Sequence, residues 1–387
     1  MNPVFNALGT TIFETMSGLA RDHGAINLGQ GFPDTGGPPD IVEAAARALV
    51  ERSNQYPPMA GLPELRDAIA AHYGAHQGLD LTRAQVIVTS GATEALAATL
   101  FALIEPGDEV LLFQPSYDAY RPLVERAGGH VRLVTLEPPR WRLSRAGIEA
   151  AITARTRFLI LNDPLNPTGT VASEADLLML ADICLKHDLI AVCDEVWEHI
   201  RFDGLPHRSL LSCPGMADRA VKIGSAGKIF SLTGWKVGWL CASPRLAALI
   251  GRAHQFLTFT TPPNLQWAVA LGLPKPLDWF AAMRADYARS RDRLADGLSA
   301  AGYALLPGVA TWFLSIDLVA SGIPMEDSLF CDRLVREAGV AAIPVSAFFA
   351  RDAPRHVVRL CFTKDDATLD EAVERMARFR AGLTALG

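Results

Sequence analysis

Residues 157–194 read RFLILNDPLNPTGTVASEADLLMLADICLKHDLIAVCD. An apolar run (Arg157–Asn162) is followed by a proline-stiffened turn. A helix over Glu174–His187 then opens on a Ser173-x-x-Asp176 capping box, and a second apolar run covers Leu189–Cys193. Strand, helix and strand in that order form a crossover unit. Strands that are apolar throughout, rather than alternating, belong to a parallel sheet covered on both faces. The same signature extends outward. Gln85–Thr89, Glu109–Phe113, His130–Leu136, Val221–Gly224 and Val237–Cys241 read as further strands, and Thr93–Ile104 as a helix. The expectation is an α/β fold with a mostly parallel seven-stranded sheet between helices. Past Pro274 the pattern changes to a long helix (about Trp279–Ala301), short strands near Tyr303 and at Trp312–Asp317, then helix, strand and helix. That is a smaller α+β domain.

The chain has 387 residues, half of them hydrophobic and 20% charged, with a formal net charge of −6. Acidic and basic residues interleave without blocks, so no nucleic-acid or polybasic membrane surface is expected. Met1–Ala20 lacks the basic and apolar regions of a signal peptide. The longest uncharged stretch, Ala253–Pro274, carries His254, Gln255, Asn264, Gln266 and a Pro-Pro pair, which rules it out as a membrane span. Six scattered cysteines without CxxC pairs suggest reduced thiols and a cytoplasmic protein. No GxGxxG follows a strand, and there is no GxxxxGK[ST] or HExxH. The nine histidines show no ligand spacing with acids or cysteines, so no metal is expected.

An α/β sheet binds ligands at the C-terminal ends of its strands. After the first strand comes Ser90-Gly91-Ala92-Thr93-Glu94, either an ordinary helix cap at Ser90 or Thr93 or a cradle of free N–H groups for an anion. Asn166 follows another strand, in a turn where Pro167 biases it to an extended backbone. Asp194-Glu195 ends a third, and reads equally as a catalytic acid or a structural ion pair. Ser225-Ala226-Gly227-Lys228 ends a fourth, with Lys236 close behind.

Only six of the 36 basic residues are lysines, which makes the search for a nucleophilic amine short. Lys186 suits a helix C-terminus. Lys275 lies between prolines and reads as exposed, while Lys222 and Lys364 have no special surroundings in the sequence. Lys228, after three small residues at a strand end, is placed for a close ligand and a lowered pKa. An amine, an acid, an amide and an anion cradle at one sheet edge are what pyridoxal phosphate requires.

At these residues the chain resembles the class I/II pyridoxal-phosphate-dependent aminotransferases of fold type I. The motifs are Asn27-Leu-Gly-Gln-Gly-Phe-Pro-Asp34, Asn54-Gln-Tyr-Pro-Pro-Met-Ala-Gly61, Ser90–Glu94, Asn166-Pro-Thr-Gly169, Asp194-Glu-Val196, Ser225–Lys228, Thr233-Gly-Trp-Lys236 and Val358-Arg-Leu-Cys361. The nearest branch is that of kynurenine aminotransferase, glutamine transaminase K and bacterial methionine aminotransferases. The resemblance implies that Lys228 forms the Schiff base and shuttles the proton. It implies that Asp194 pairs with the pyridine nitrogen, Asn166 meets O3′ and the substrate, and Tyr117 stacks on the ring. Gly91, Ala92, Thr93, Ser225 and Lys236 would hold the phosphate, with Tyr56 reaching the phosphate of the other subunit in a homodimer with shared sites. Arg359 would grip the substrate carboxylate beside Gly31.

The resemblance also implies an N-terminal arm with part of the small domain (1–40), a large cofactor domain (41–274) and a C-terminal small domain (275–387). The implied reaction is ping-pong transfer from a neutral or aromatic L-amino acid (glutamine, methionine, phenylalanine or kynurenine) to a 2-oxo acid. The alternative is a cysteine-conjugate or cystathionine β-lyase on the same site. A regulator fused to a DNA-binding domain is not expected, because the arm begins near residue 3. One position departs from the family pattern. Trp197 stands where a tyrosine usually donates to O3′, and the exchange is expected to raise the pKa of the Schiff base.

Overall fold

A computed structural model describes residues 2–34 and 36–384. The large sheet has seven strands: β1 (Val86–Ser90), β2 (Glu109–Gln114), β3 (His130–Thr135), β4 (Thr156–Asn162), β5 (Ile190–Asp194), β6 (Ala220–Ser225) and β7 (Val237–Cys241). Their order is β1-β7-β6-β5-β4-β2-β3. Only β7 runs antiparallel to its neighbours; the remaining contacts are parallel. β1 therefore points the same way as β6, and the ends of β1, β4, β5 and β6 meet at one edge. The antiparallel β7 starts at that edge, which brings the residue before it, Lys236, to the same place.

Helices cover both faces, as continuous apolar strands require. One face packs around Leu65, Ile69, Tyr73, Leu159, Leu180, Ile229 and Trp239. The other packs around Leu96, Leu112, Val192, Leu240 and Ile250. Helix α1 (Pro63–Gln77) contributes to the first, and helix α2 (Gly91–Leu103) to the second. The capping box predicted at Ser173 forms, opening helix α3 (Glu174–His187).

The smaller sheet has the order Ile343–Pro344, β9 (Val357–Cys361), Phe313–Asp317, β8 (Ala304–Leu306), all antiparallel. Its core joins Met16, Ala20 and Leu28 from the N-terminal region to Leu360, Leu369 and Met376. Helix α4 (Leu277–Ala300) spans both units: Phe280 lies in the large core, and Leu294 and Leu298 in the small one. No described helix is long and apolar enough to cross a membrane.

Candidate active site

A cavity of about 260 Å³ lies at the shared strand edge. Gly91, Ala92, Thr93, Tyr117, Asn166, Asp194, Trp197, Ser225, Lys228 and Lys236 all line it. The fold thus brings together ten of the expected site residues from six separate segments. Gly31 and Arg359 border the same region from the smaller unit. Tyr56 does not line it: the ring is exposed and lies edge-on to Phe259 at 5.6 Å.

The anion cradle is built by strand register. Ser90 pairs with Val237, so Gly91 and Lys236 are neighbours across β1 and β7. Gly91 has φ +74°, and a Cβ there would lie 3.1 Å from the Lys236 Nζ. A Cβ on Gly238 would sit 2.6 Å from the Gly91 carbonyl carbon. Only glycine lets the start of α2 approach β7 this closely. The Ser90 side chain makes no capping bond, contrary to one sequence reading; instead its N–H donates to Glu94. Gly91, Ala92 and Thr93, which open α2, line the cavity beside the Lys236 ammonium, the arrangement a phosphate needs.

Asp194 is buried at the floor and accepts a 2.6 Å hydrogen bond from the Tyr120 hydroxyl. Burial raises its pKa, against that bond and the charge of Lys228. Lys228 is half-buried, its amine 4.6 Å from the centre of the Trp197 ring and 5.1 Å from that of Trp312. Burial lowers its pKa to about 8, with Arg359 and Lys236 pushing the same way. The Tyr117 hydroxyl is pushed up to about 12, mainly by burial. Trp197 packs edge-on against Trp312 and Phe313.

Arg359, central in the small sheet, is only 1% exposed. It donates to Asn166 Oδ1 (2.9 Å) and to the Gly29 carbonyl (2.6 Å), and its Nε has no partner. Its guanidinium stacks 3.9 Å from the Phe313 ring centre. Among the described residues it has no ion pair, and burial lowers its pKa to about 9. A buried guanidinium without a carboxylate is costly unless an anion arrives. Gly31 leaves space at the same point, because a Cβ there would fall 2.6 Å from the Phe313 ring.

Sequence reasoning missed Tyr120 and Asn162. Asn162 donates to the Asp194 carbonyl and accepts from the Asn166 N–H, which locks the β4 and β5 ends together. Tyr120 lies three residues beyond Tyr117, a helical spacing that could have flagged it. Three lysines also need correction. Lys222 is fully buried between Glu195 and Glu198, Lys364 is buried against Asp34, and Lys275 is mostly covered and paired with Asp40.

The donor set fits pyridoxal phosphate. A half-buried amine, a buried carboxylate, an amide and a glycine-lined anion cradle surround one cavity of limited size.

Comparison with known proteins agrees. The family model for aminotransferase class I and II matches residues 23–376. The solved N-succinyldiaminopimelate aminotransferase from Mycobacterium tuberculosis superposes with a TM-score of 0.94 at 44% identity, covering 98% of this chain and 99% of that one. The methionine aminotransferase of Escherichia coli is 42% identical over 95% of this chain and 96% of its own. Kynurenine–oxoglutarate transaminase 1 of Rattus norvegicus is 34% identical over 94% of each. All three are named as aminotransferases, and the β-lyase alternative gains no support from them.

Proposed function

The chain belongs to the class I and II aminotransferases and is a pyridoxal-phosphate-dependent enzyme, and from that premise we propose how its residues divide the work. Lys228 carries the cofactor, Asp194 faces the pyridine nitrogen and Asn166 faces O3′. The N–H groups of Gly91, Ala92 and Thr93, with Ser225 and Lys236, hold the phosphate, and Tyr117 lies on the ring. Trp197 packs beside the Lys228 amine. When bound, pyridoxal phosphate withdraws electrons and makes the α-hydrogen of an attached amino acid acidic.

Arg359 takes the substrate carboxylate in a bidentate grip and Gly31 leaves room for it. Lys228, released as a neutral amine, takes the proton from Cα and returns it one carbon away. An ammonium could not accept that proton, so the lowered pKa of Lys228 suits the role. The amino group leaves one substrate and reaches a 2-oxo acid in a second half-reaction at the same residues. The observation that carries this reading is the buried Arg359, without an ion pair among the described residues and bonded to Asn166 at the Lys228 cavity.

The preferred donors are neutral or aromatic amino acids of the glutamine, methionine, phenylalanine and kynurenine kind. Phe13, Phe313 and Phe348 surround the Arg359 guanidinium, which supports an apolar side-chain pocket. The active unit is a homodimer in which Tyr56 reaches the partner's phosphate. Exposed Tyr56, Phe256, Leu257 and Phe259 support a covered face there. The chain divides at residues 40 and 274 into arm, large and small domains. The enzyme works in the cytoplasm, in keeping with its free cysteines.

A half-reaction screen tests the assignment. Holoenzyme is mixed with each candidate amino acid, with N-succinyldiaminopimelate and with aspartate, and the cofactor band is followed beside Lys228→Ala. Bleaching by neutral donors supports the reading. Bleaching only by the acidic donors overturns the substrate class, and bleaching by none overturns the site. Light scattering of the purified enzyme at a monomer's mass would remove the shared-site dimer.

A further inference from the structure

Two clusters of possible metal ligands lie away from the cavity: Glu195, Glu198 and His207, and His72, His76 and His199. The first already holds a cation, since the Lys222 amine bonds both carboxylates. The second holds none. His72 and His76 stand one turn apart on α1 and so share a face. His199 comes from the turn after β5, and the ligand nitrogens of the three rings lie within 4.8 Å of one another.

The rings are also held from behind. His72 Nδ1 contacts the Leu273 carbonyl at 3.0 Å, which fixes the proton on Nδ1 and leaves Nε2 with its lone pair toward the cluster. His72 Nε2 and His199 Nε2 are 2.8 Å apart. Among the described residues His76 has no hydrogen-bond partner, and its partial exposure gives an ion a way in. The Phe280 ring walls the other side, with ring centres 4.7 Å from both His76 and His199. Glu198 lends a negative field to His72 and His76, while Arg284 opposes it at His76 and His199.

We propose that His72, His76 and His199 form a binding site for one zinc-type divalent ion, outside the transamination centre. Three imidazoles and a water complete a tetrahedral shell, which suits Zn²⁺ or Co²⁺; Ca²⁺ and Mg²⁺ want oxygen ligands. Nitrogens on a tetrahedral zinc stand roughly 3.3 Å apart, so the His72–His199 hydrogen bond must open by about half an ångström to admit the ion. Bound there, the ion ties α1 to the turn that follows Asp194 and carries Trp197. The expectation that no metal binds this chain rested on linear spacing. His72-x₃-His76 does have helical ligand spacing, and only the fold supplies the third ring.

The test uses purified holoenzyme, stripped with a chelator and dialysed against micromolar ZnCl₂, with retained zinc measured by mass spectrometry. Wild type is expected to keep one zinc per chain. His76→Ala should bind at least about tenfold more weakly with its transamination rate unchanged, and His76→Cys, which restores a zinc ligand, should keep the ion. With CoCl₂ in place of zinc, wild type should show visible bands of tetrahedral Co²⁺ that His76→Ala lacks. No zinc on wild type, or equal retention by wild type and His76→Ala, overturns the proposal and leaves a hydrogen-bonded histidine pair.

Discussion

Two lysines six residues apart, on β6 and just past its end, occupy opposite electrostatic worlds. Lys222 sits between Glu195 and Glu198. Glu195 also accepts from Ser209 (2.8 Å) and contacts His207 (2.9 Å), and Glu198 accepts from Tyr73 (2.9 Å) and Gln77 (2.6 Å). Burial pulls the Lys222 pKa down, yet the two carboxylates hold it above its ordinary value. Burial acts against Glu195 as well, but Lys222 and His207 hold it at about 2. Lys228 is only half-buried but has no such partner, so desolvation wins and its pKa falls to about 8. Neighbouring Asp194 and Glu195 divide the same way, one raised and one depressed. Depth alone therefore does not mark a functional charge. What marks it is burial without compensation, a state that a ligand completes.

The sharpest way to break this contrast is to remove each amine. Lys228→Ala should lower transamination at least about 10³-fold in the half-reaction assay. Lys228→Met should make the cofactor-free chain more stable at pH 7, by on the order of 3 kcal/mol in urea unfolding, since a lysine lowered from 10.5 to about 8 disfavours the fold. Lys222→Met should do the reverse, costing about 3 to 5 kcal/mol by stranding two buried carboxylates. Adding Glu195→Gln and Glu198→Gln to it should recover part of that loss. Equal effects of the two methionine substitutions would dissolve the distinction.

The pH dependence of stability separates the same centres. Glu195 is depressed from 4.5 to about 2, so its contribution is present above pH 4.5 and fades as pH falls toward 2. Lys222, raised above 10.5, contributes below that pH and loses its contribution above it. Lys228 has the opposite sign: its penalty is full below about pH 8 and lifts as pH rises to 10.5. Urea midpoints of the cofactor-free chain and of Lys228→Met, compared from pH 7 to 10, should converge as pH rises.

Within the uncompensated centre, smaller changes should grade the effects. Arg359→Lys should reduce kcat/KM roughly 10- to 100-fold, because an ammonium cannot reproduce the two-point grip. Tyr120→Phe removes the hydroxyl from Asp194 and should weaken cofactor retention about tenfold in dialysis. Trp197→Tyr should lower the pH midpoint of the cofactor band; an unchanged midpoint would mean that the indole ring is neutral in setting it.

How much of this was legible varies by element. The seven strands and the Glu174–His187 helix were legible because apolar runs and capping boxes act over a few residues. The strand ends named the cradle, Asn166, Asp194 and Lys228 because a parallel sheet gathers its C-terminal ends. Asp194 and Glu195 could not be told apart, since the partners that settle them, Tyr120 and Lys222, lie 74 and 27 residues away. Arg359 on its strand was open to an ion-pair reading until its burial without a carboxylate was seen.

The sequence by itself determined the fold class, the family and the identity of the amine, because local periodicity and short motifs encode them. The rarity of lysine narrowed that choice to six. Only the tertiary structure decided which charges are compensated and which wait for a ligand. Solvation and Coulomb energies depend on distance in space, and the residues that neutralise Lys222, or gather around His72, come from segments far apart in the chain.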